Sequence, residues 1–209
     1  MGRPATARSY GGVSAEDRRA ERRTRLLAAA RETWGEAGLS AVTVRGICKQ
    51  SGLTDRYFYE HFANRDELLA AVADEVREEL LGVLVVSGVT ADGGAEAKLH
   101  AALRAFLEIV AGDRHIHRIM TSDTNTVPAL AQRRREVLTT IADLVVQNAP
   151  AAFPGDLTPE ALRRAALFVT GGVNQLIDAW LDGTLSLDAD ALAAECAALC
   201  VSVFERERH

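Results

Sequence analysis

Apolar residues recur at offsets of three and four along most of this 209-residue chain, which is the period of an amphipathic α-helix. No alternation of apolar and polar positions long enough for a β-strand occurs. In the second half of the chain, this pattern predicts helices over 95–111, 115–120, 128–147, 158–181 and 188–205. Polar segments and Gly/Pro clusters, including a loop at 150–155, separate them. The sequence therefore predicts an all-α fold.

In the first half of the chain, the predicted helices begin at residues that can cap them. Ser14 followed by Asp17 has the spacing of a capping box, and the helix that it opens should end at Gly38. Asn64 can cap a further helix that continues to about residue 86. Residues 1–13 contain Gly, Pro, Ser and scattered Arg, and we expect them to form a mobile arm.

Two short helical patterns, joined by Ser51-Gly52-Leu53, lie between these longer helices. Thr43 and Thr54 can each cap one of them, and Gly52 stands where a reversal needs a positive φ. In the second pattern, Phe58 and Phe62 are four apart and can bury one side of the helix. This arrangement is typical of a helix-turn-helix motif that binds duplex DNA. The alternative is a helical hairpin whose polar side chains form a solvated face.

Four flanking segments identify a family resemblance. LLAAARETWGEAG (26–38), TVR (43–45), FYEHF (58–62) and NRDELL (64–69) resemble the N-terminal domain of TetR-family transcriptional regulators. The resemblance covers about residues 22–72, a third of the chain. It implies a three-helix helix-turn-helix DNA-binding domain over 14–66 and a larger helical ligand-binding and dimerisation domain over 67–209. It also implies a homodimer that leaves its operator when a small molecule binds, and repression is the usual behaviour.

This interpretation assigns DNA contacts to side chains around the second short helix. Arg56 and Tyr57 are predicted to meet base edges, and Arg56 can form a bidentate pair with guanine. Phosphate contacts are predicted from Thr43, Tyr59, His61 and Arg65. Asp55 can accept from cytosine or cap its own helix. The full predicted set of DNA-binding residues is Thr43, Arg45, Thr54, Asp55, Arg56, Tyr57, Tyr59, His61 and Arg65.

The chain departs from the common family pattern at three positions. Asp55 stands where a lysine is frequent, which removes a phosphate contact. Arg31 and Thr33 replace residues that are often apolar in the first helix, so looser packing is expected there.

Charge is divided unequally along the chain. Residues 1–66 contain 12 basic and 8 acidic residues, a net charge of +4. The remaining residues contain 12 basic and 21 acidic residues, a net charge of −9. A basic end on an acidic body fits a DNA-binding module joined to a sensor domain. Arginines in the first helix, with Arg3 and Arg8 of the arm, can contact DNA, or they can form a solvated helix face.

The last two long helices are predicted to form the dimer interface, over about 158–182 and 188–205. Each carries a broad apolar stripe that would be exposed without a partner. The alternative is that both stripes pack inside one monomer. The stripes are Leu162, Ala165, Ala166, Val169, Val173, Leu176 and Trp180 on the first helix, and Leu192, Ala193, Cys196, Leu199, Cys200, Val203 and Phe204 on the second.

A small-molecule pocket is expected from the resemblance, beside the helix that follows Asn64. Asn174 and Asp178 are the most informative candidates, because polar groups on an otherwise apolar helix need partners from a ligand or another subunit. The predicted lining residues are Phe106, Ile109, Ile116, Met120, Leu138, Phe168, Asn174, Gln175 and Asp178.

Other chemistry is weakly indicated. His115 and His117 are two apart, so a helix points them to different sides, and Cys196 with Cys200 alone makes a weak metal site. No catalytic motif is present, and we expect neither enzymatic activity nor a cofactor. Without a long apolar run or a secretion signal, the expectation is a cytoplasmic protein that does not enter a membrane. A metal-responsive regulator and a helical small-molecule-binding protein without a DNA role remain as alternatives.

Overall fold

The computed structural model describes residues 14–122, 126–153 and 157–207. Within those ranges the chain forms α-helices and no β-strand, which confirms the predicted all-α fold. The helices are α1 (Ala15–Ala37), α2 (Val44–Ser51), α3 (Asp55–Tyr59), α4 (Arg65–Thr90), α5 (Ala95–Gly112), α6 (Arg114–Met120), α7 (Pro128–Ala152), α8 (Pro159–Leu181) and α9 (Ala189–Glu207), with a 3-10 turn at Leu39–Ala41. The predicted arm at 1–13 lies outside the described residues.

Polar caps set the starts of several helices where the sequence predicted them. At the start of α1, the backbone N–H of Asp17 donates to the Ser14 hydroxyl at 2.9 Å, and the Ser14 N–H donates to the Asp17 carboxylate at 3.2 Å. The Asn64 side chain accepts from the Glu67 N–H at 2.9 Å and starts α4. These bonds satisfy donors that the first turn of a helix leaves free.

Helix α7 is longer than predicted. A loop was expected from Pro150, but α7 continues through Pro150 to Ala152. Ala149 and Phe153 are buried at this end, and the Phe153 ring stacks on Phe204 with 4.9 Å between centroids. Proline removes only one backbone bond here, in the last turn, so this packing is enough to keep the helix intact.

The main apolar core joins the two halves of the chain. Leu26, Trp34 and Phe58 of the first three helices share one buried cluster with Ile116 of α6 and Leu130 of α7. Helix α4 runs through this cluster without a break, so the predicted boundary between 66 and 67 falls inside a helix. Two smaller clusters fill the C-terminal half, around Phe153 and Phe204 and around Leu107 and Leu192.

Helix α6 lies directly against the end of α1. A Cβ atom added at Gly35 would lie 2.5 Å from the Cβ of His115, so the two backbones can approach this closely only because residue 35 is glycine. The Trp34 indole N–H donates to Ser122 at 2.8 Å, and the Arg114 guanidinium lies 3.1 Å from the Glu36 carboxylate. These contacts fix the position of the N-terminal helices on the rest of the molecule.

The predicted apolar stripes on α8 and α9 lie mainly inside the monomer, as the alternative interpretation had it. Leu162, Ala166, Leu192 and Cys196 are all buried, and α8 and α9 pack against α5, α7 and each other. Leu199 is an exception, with 56% of its surface exposed. These stripes were wrongly assigned to a dimer interface, because a face of this width is also what a central helix of a monomer needs.

The opposite face of α8 is the one left open. It carries Leu167, Phe168, Gly171, Gly172 and Gln175, all exposed and spaced by three or four residues. Phe168 has 69% of its surface accessible, and nothing lies within 4 Å of a Cβ placed at Gly171 or Gly172. An apolar aromatic beside two glycines gives α8 a flat surface that another backbone can approach closely.

None of the helices in the described ranges combines the length and the apolar character that a membrane span requires.

Candidate nucleic-acid interface

Helices α2 and α3 form the predicted helix-turn-helix. The Thr43 hydroxyl accepts from the Gly46 N–H at 3.1 Å and caps α2. Gly52 ends this helix with φ of 65°, and the Leu53 N–H donates back to the Cys48 carbonyl at 3.0 Å. This closure of α2 is the Schellman type, which requires a left-handed residue and therefore favours glycine.

Two buried phenylalanines hold α3 in place. Phe58 and Phe62 are almost fully buried, with 5.8 Å between their ring centroids. The Arg23 guanidinium of α1 lies 4.6 Å above the Phe62 ring. Helix α3 ends at Tyr59, so Phe62 lies just beyond it and not on the same helix as predicted. Both rings are nevertheless buried, and the other side of α3 faces outward.

The outward side of α3 carries most of the predicted DNA contacts. Thr54, Asp55, Arg56, Tyr57 and Tyr59 are all exposed, and the Arg56 side chain has 85% of its surface free. Thr54 precedes α3 without bonding to it through its side chain, so its predicted capping role is wrong. Arg45 of α2 is also exposed. An exposed group of donors and aromatic rings on one short helix has the size and chemistry to enter a major groove.

The arginines of α1 brace α3 from behind. The Arg22 guanidinium lies 4.7 Å above the Tyr57 ring and 3.9 Å from the Glu60 carboxylate. Arg19 donates to the Glu60 carbonyl at 3.3 Å, and Arg25 donates to the Ser51 carbonyl. The sequence allowed phosphate contact or solvation for these arginines, and the structure shows that they also position α3.

Glu60 was missing from the predicted site, although it lies at its centre. It accepts from Arg56 Nε at 3.2 Å, in addition to its contacts with Arg22 and Arg19. The i,i+4 spacing of Arg56 and Glu60 was the signal available in the sequence.

Arg65 occupies a structural position, and its assignment to a phosphate is corrected. Its Nε donates to the Val42 carbonyl at 2.5 Å and its Nη2 donates to the Leu39 carbonyl at 2.6 Å. A third contact joins it to Asp66 at 3.4 Å. The guanidinium therefore satisfies carbonyls in the segment that connects α1 with α2. These partners lie 23 and 26 residues away along the chain, so no local pattern indicates them.

His61 and Cys48 titrate abnormally around α3. Burial of the His61 ring lowers its pKa, and the nearby charges of Arg19, Arg22 and Arg23 lower it further. Its Nε2 is buried without a hydrogen-bond partner. Burial raises the pKa of the Cys48 thiol to about 11, with the Asp55 carboxylate as a second cause. Asp55 therefore lies beside the α2 thiol, and Cys48 is an unreactive core residue.

The nine predicted ligand-binding residues lie in different environments. Phe106, Ile109, Ile116 and Met120 belong to or pack against the core that joins the two halves, while Leu138 is half-buried on α7. Two open surface concavities, one beside Arg65 and one on α7, include none of the nine. Phe168 and Gln175 lie on the exposed face of α8, so their placement in an internal pocket is wrong.

Asn174 and Asp178 find their partner on α7. The Arg134 guanidinium donates to the Asp178 carboxylate and lies 3.3 Å from the Asn174 side-chain oxygen. The Asn174 amide donates to Asp178 at 3.2 Å. The polar groups that the sequence singled out therefore form a half-buried network with an arginine that it did not single out.

No group of three or more His, Cys, Asp or Glu side chains suited to a metal ion occurs in the ranges that the structure describes. Burial raises the pKa of Cys196 and of Cys200 to about 11, so both thiols stay protonated in the core near neutral pH.

The geometry defines a helix-turn-helix DNA-binding regulator with an all-helical C-terminal region. Residues 26–72 match the family of bacterial regulatory proteins described as the tetR family. The N-terminal part of the chain is therefore a tetR-family DNA-binding domain.

Relatives and solved structures agree with this assignment. The HTH-type transcriptional activator FasR of Mycolicibacterium smegmatis is 29% identical over 194 residues, which are 90% of this chain and 84% of that protein. A transcriptional regulator from Rhodococcus sp. Rha1 has a TM-score of 0.66 at 23% identity, covering 88% of this chain and 96% of that one. The regulator FadR of Bacillus subtilis, solved with stearoyl-CoA, has a TM-score of 0.62 at 18% identity, covering 86% of this chain and 97% of that one. These structures share the fold over 86–88% of this chain.

Proposed function

We propose that the protein is a homodimeric transcriptional repressor in the bacterial cytoplasm. It binds a palindromic DNA operator through α3 of each protomer and leaves the operator when a small molecule binds the C-terminal region. The observation that carries this proposal is the exposed side of α3, which presents Arg56, Tyr57 and Tyr59 on a helix anchored by Phe58 and Phe62.

In this proposal, contacts to DNA are divided between base edges and phosphates. Arg56 and Tyr57 meet base edges at the centre of the recognition helix. Thr54, Tyr59 and Arg45, all exposed around it, contact phosphates, as do Thr43 and His61 at its margins. Asp55 acts locally, beside Cys48 and the start of α3.

The exposed face of α8 supports the homodimer. Leu167 and Phe168 are large apolar residues on a solvent-accessible helix surface, and the Leu199 side chain of α9 is exposed as well. Gly171 and Gly172 leave room for a second helix to approach. A twofold axis at this face would pair two copies of α8 and α9, and a palindromic operator is the DNA counterpart of that symmetry.

The proposed effector is an apolar molecule with a polar or anionic end. The Arg134, Asn174 and Asp178 network supplies polar groups between α7 and α8, where an anionic group can compete with Asp178 for the arginine. Half-buried apolar residues, including Phe106 and Leu138, lie on the neighbouring α5 and on α7. The fold shared with FadR, which was solved with stearoyl-CoA, makes a fatty acyl compound the first candidate.

DNA binding is tested by selecting duplexes from a random pool with the full chain. The expected result is a palindromic motif, and Arg56→Ala should weaken discrimination at one base pair of each half-site by roughly 1–3 kcal/mol. Arg135→Ala removes an equally charged and exposed side chain on α7 and serves as the matched control. Recovery of no motif, or full discrimination by the Arg56 variant, would contradict the proposal.

Effector response and the direction of regulation need separate measurements. Stearoyl-CoA should release the selected duplex in a gel-retardation assay, whereas coenzyme A alone should not. A reporter placed behind the selected duplex should be silenced by the protein, and stimulation of the reporter would show activation instead. Arg134→Ala should change the stearoyl-CoA concentration needed for release while leaving DNA affinity without ligand unchanged.

A further inference from the structure

The ion pair between Arg56 and Glu60 contributes little to the stability of α3. Arg56 Nε lies 3.2 Å from a Glu60 oxygen, but the Arg56 side chain is almost fully accessible to solvent. Exposed i,i+4 pairs stabilise a helix little, and less when the basic residue precedes the acidic one. The main effect of this pair is therefore to orient the Arg56 side chain.

Glu60 is itself held from the side of α1. Its second carboxylate oxygen lies 3.9 Å from Arg22 Nη2, and Arg19 donates to its backbone carbonyl at 3.3 Å. The Arg22 guanidinium also lies over the Tyr57 ring, and this contact holds Arg22 in place. Arg19 thus holds the Glu60 backbone, and the charge of Arg22 attracts the Glu60 carboxylate toward α1, which restricts the positions from which it can bind Arg56.

The atom that Glu60 engages decides what Arg56 can still bind. A guanidinium carries five N–H donors, one on Nε and four on the two terminal nitrogens. With Nε occupied by Glu60, the edge formed by Nη1 and Nη2 remains free on a side chain that is 85% exposed. This edge can donate two parallel hydrogen bonds to O6 and N7 of guanine.

We infer that Glu60 is a specificity-determining positioning residue, which holds Arg56 so that its terminal edge meets guanine in the major groove. The inference rests on the proposed role of Arg56 in base recognition. Glu60 acts through the arginine without touching DNA, and the anchoring arginines of α1 complete a chain of contacts from α1 through Glu60 to Arg56.

The test compares Glu60→Ala, Glu60→Gln, Arg56→Ala and the double variant Glu60→Ala/Arg56→Ala in the full chain. The probes are the duplex selected by the wild-type protein and duplexes with single base-pair changes. Glu60→Ala should reduce discrimination roughly three- to tenfold at the base pair where Arg56→Ala also loses it. Glu60→Gln, which still offers an acceptor to Nε, should have a smaller effect. In the Arg56→Ala background, Glu60→Ala should change discrimination no further.

Glu21→Ala, which removes an exposed acid from α1, is the control for the loss of one negative charge. Both acid-to-alanine variants should raise affinity for unrelated DNA, because a repulsive charge is lost, and only Glu60→Ala should lower discrimination. Unchanged thermal midpoints establish that the variants are folded. Wild-type discrimination by Glu60→Ala, or an equal loss in the Arg56→Ala background, overturns the inference. If Arg56→Ala itself discriminates fully, the proposed role of Arg56 fails first.

Discussion

At the scale of single residues, two polar side chains of α1 form polar contacts with neighbouring helices at positions where apolar residues are frequent. Arg31 and Thr33 were expected to loosen the first helix. Instead, Arg31 lies 2.7 Å from Glu79 of α4, and the Thr33 hydroxyl donates to Gln50 of α2 at 2.6 Å. The sequence shows the unusual residues, but their partners lie 48 and 17 positions away and become neighbours only in the folded chain.

His61 should make the stability of the protein fall on the acid side of neutrality. Its folded-state pKa lies below the ordinary 6.5, so the unfolded chain takes up a proton before the native protein does. Stability is therefore fully present above about pH 6.5 and is lost as the pH falls from there toward the folded-state pKa. Urea denaturation between pH 7.5 and 5 measures this change.

His61→Gln should reduce that loss because it removes the ionisable ring beside Arg19, Arg22 and Arg23. His117→Gln on α6 removes a histidine outside this group of arginines and serves as the matched control. An identical pH dependence in the wild type and the His61 variant would show that the burial of this ring has no energetic consequence.

At the scale of helices, sequence patterns predict where helices begin more accurately than they predict which helix faces pack together. Caps at Ser14 and Asn64 placed the starts of α1 and α4, since capping depends on residues close in sequence. The stripe on α8 was found correctly but assigned to the wrong neighbour. Hydrophobic periodicity shows that a face is buried, whereas the identity of the helix that covers it depends on the arrangement of the whole chain.

The contact of α1 with α6 should be sensitive to a single methyl group. Gly35→Ala would place a Cβ 2.5 Å from two carbons of His115, so the helices must separate or distort. We expect a loss of about 1–3 kcal/mol in the free energy of unfolding, measured by urea denaturation.

Gly82→Ala makes the same chemical change in a helix where nothing lies within 4 Å of the new Cβ. It should stabilise the protein by about 0.5–1 kcal/mol, because alanine favours the helix. Equal effects of the two substitutions would mean that the approach at Gly35 is not under steric constraint.

At the scale of the whole molecule, the open face of α8 predicts the assembly. Phe168→Glu should raise the dimer dissociation constant at least about thirtyfold, equivalent to roughly 2 kcal/mol, because a charge replaces a buried ring at the proposed twofold axis. Sedimentation equilibrium at micromolar concentration distinguishes the two states.

Val89→Glu provides the control for this experiment. Val89 is an apolar residue on α4 with 74% of its surface exposed, and it lies outside the proposed interface. This variant should remain a dimer. If Phe168→Glu stays dimeric, or if Val89→Glu alone dissociates, the subunits associate through a different surface.

The unbroken course of α4 bears on how the binding preference of such a regulator can be re-engineered. A chimaera joined at residue 66 would separate Leu68, Leu69 and Val72 from the partners with which they form one core. It would also have to recreate the fit of a foreign first helix against α6. Transplanting the few outward side chains of α3, together with the acid that braces its arginine, leaves these joints untouched and is the sounder design.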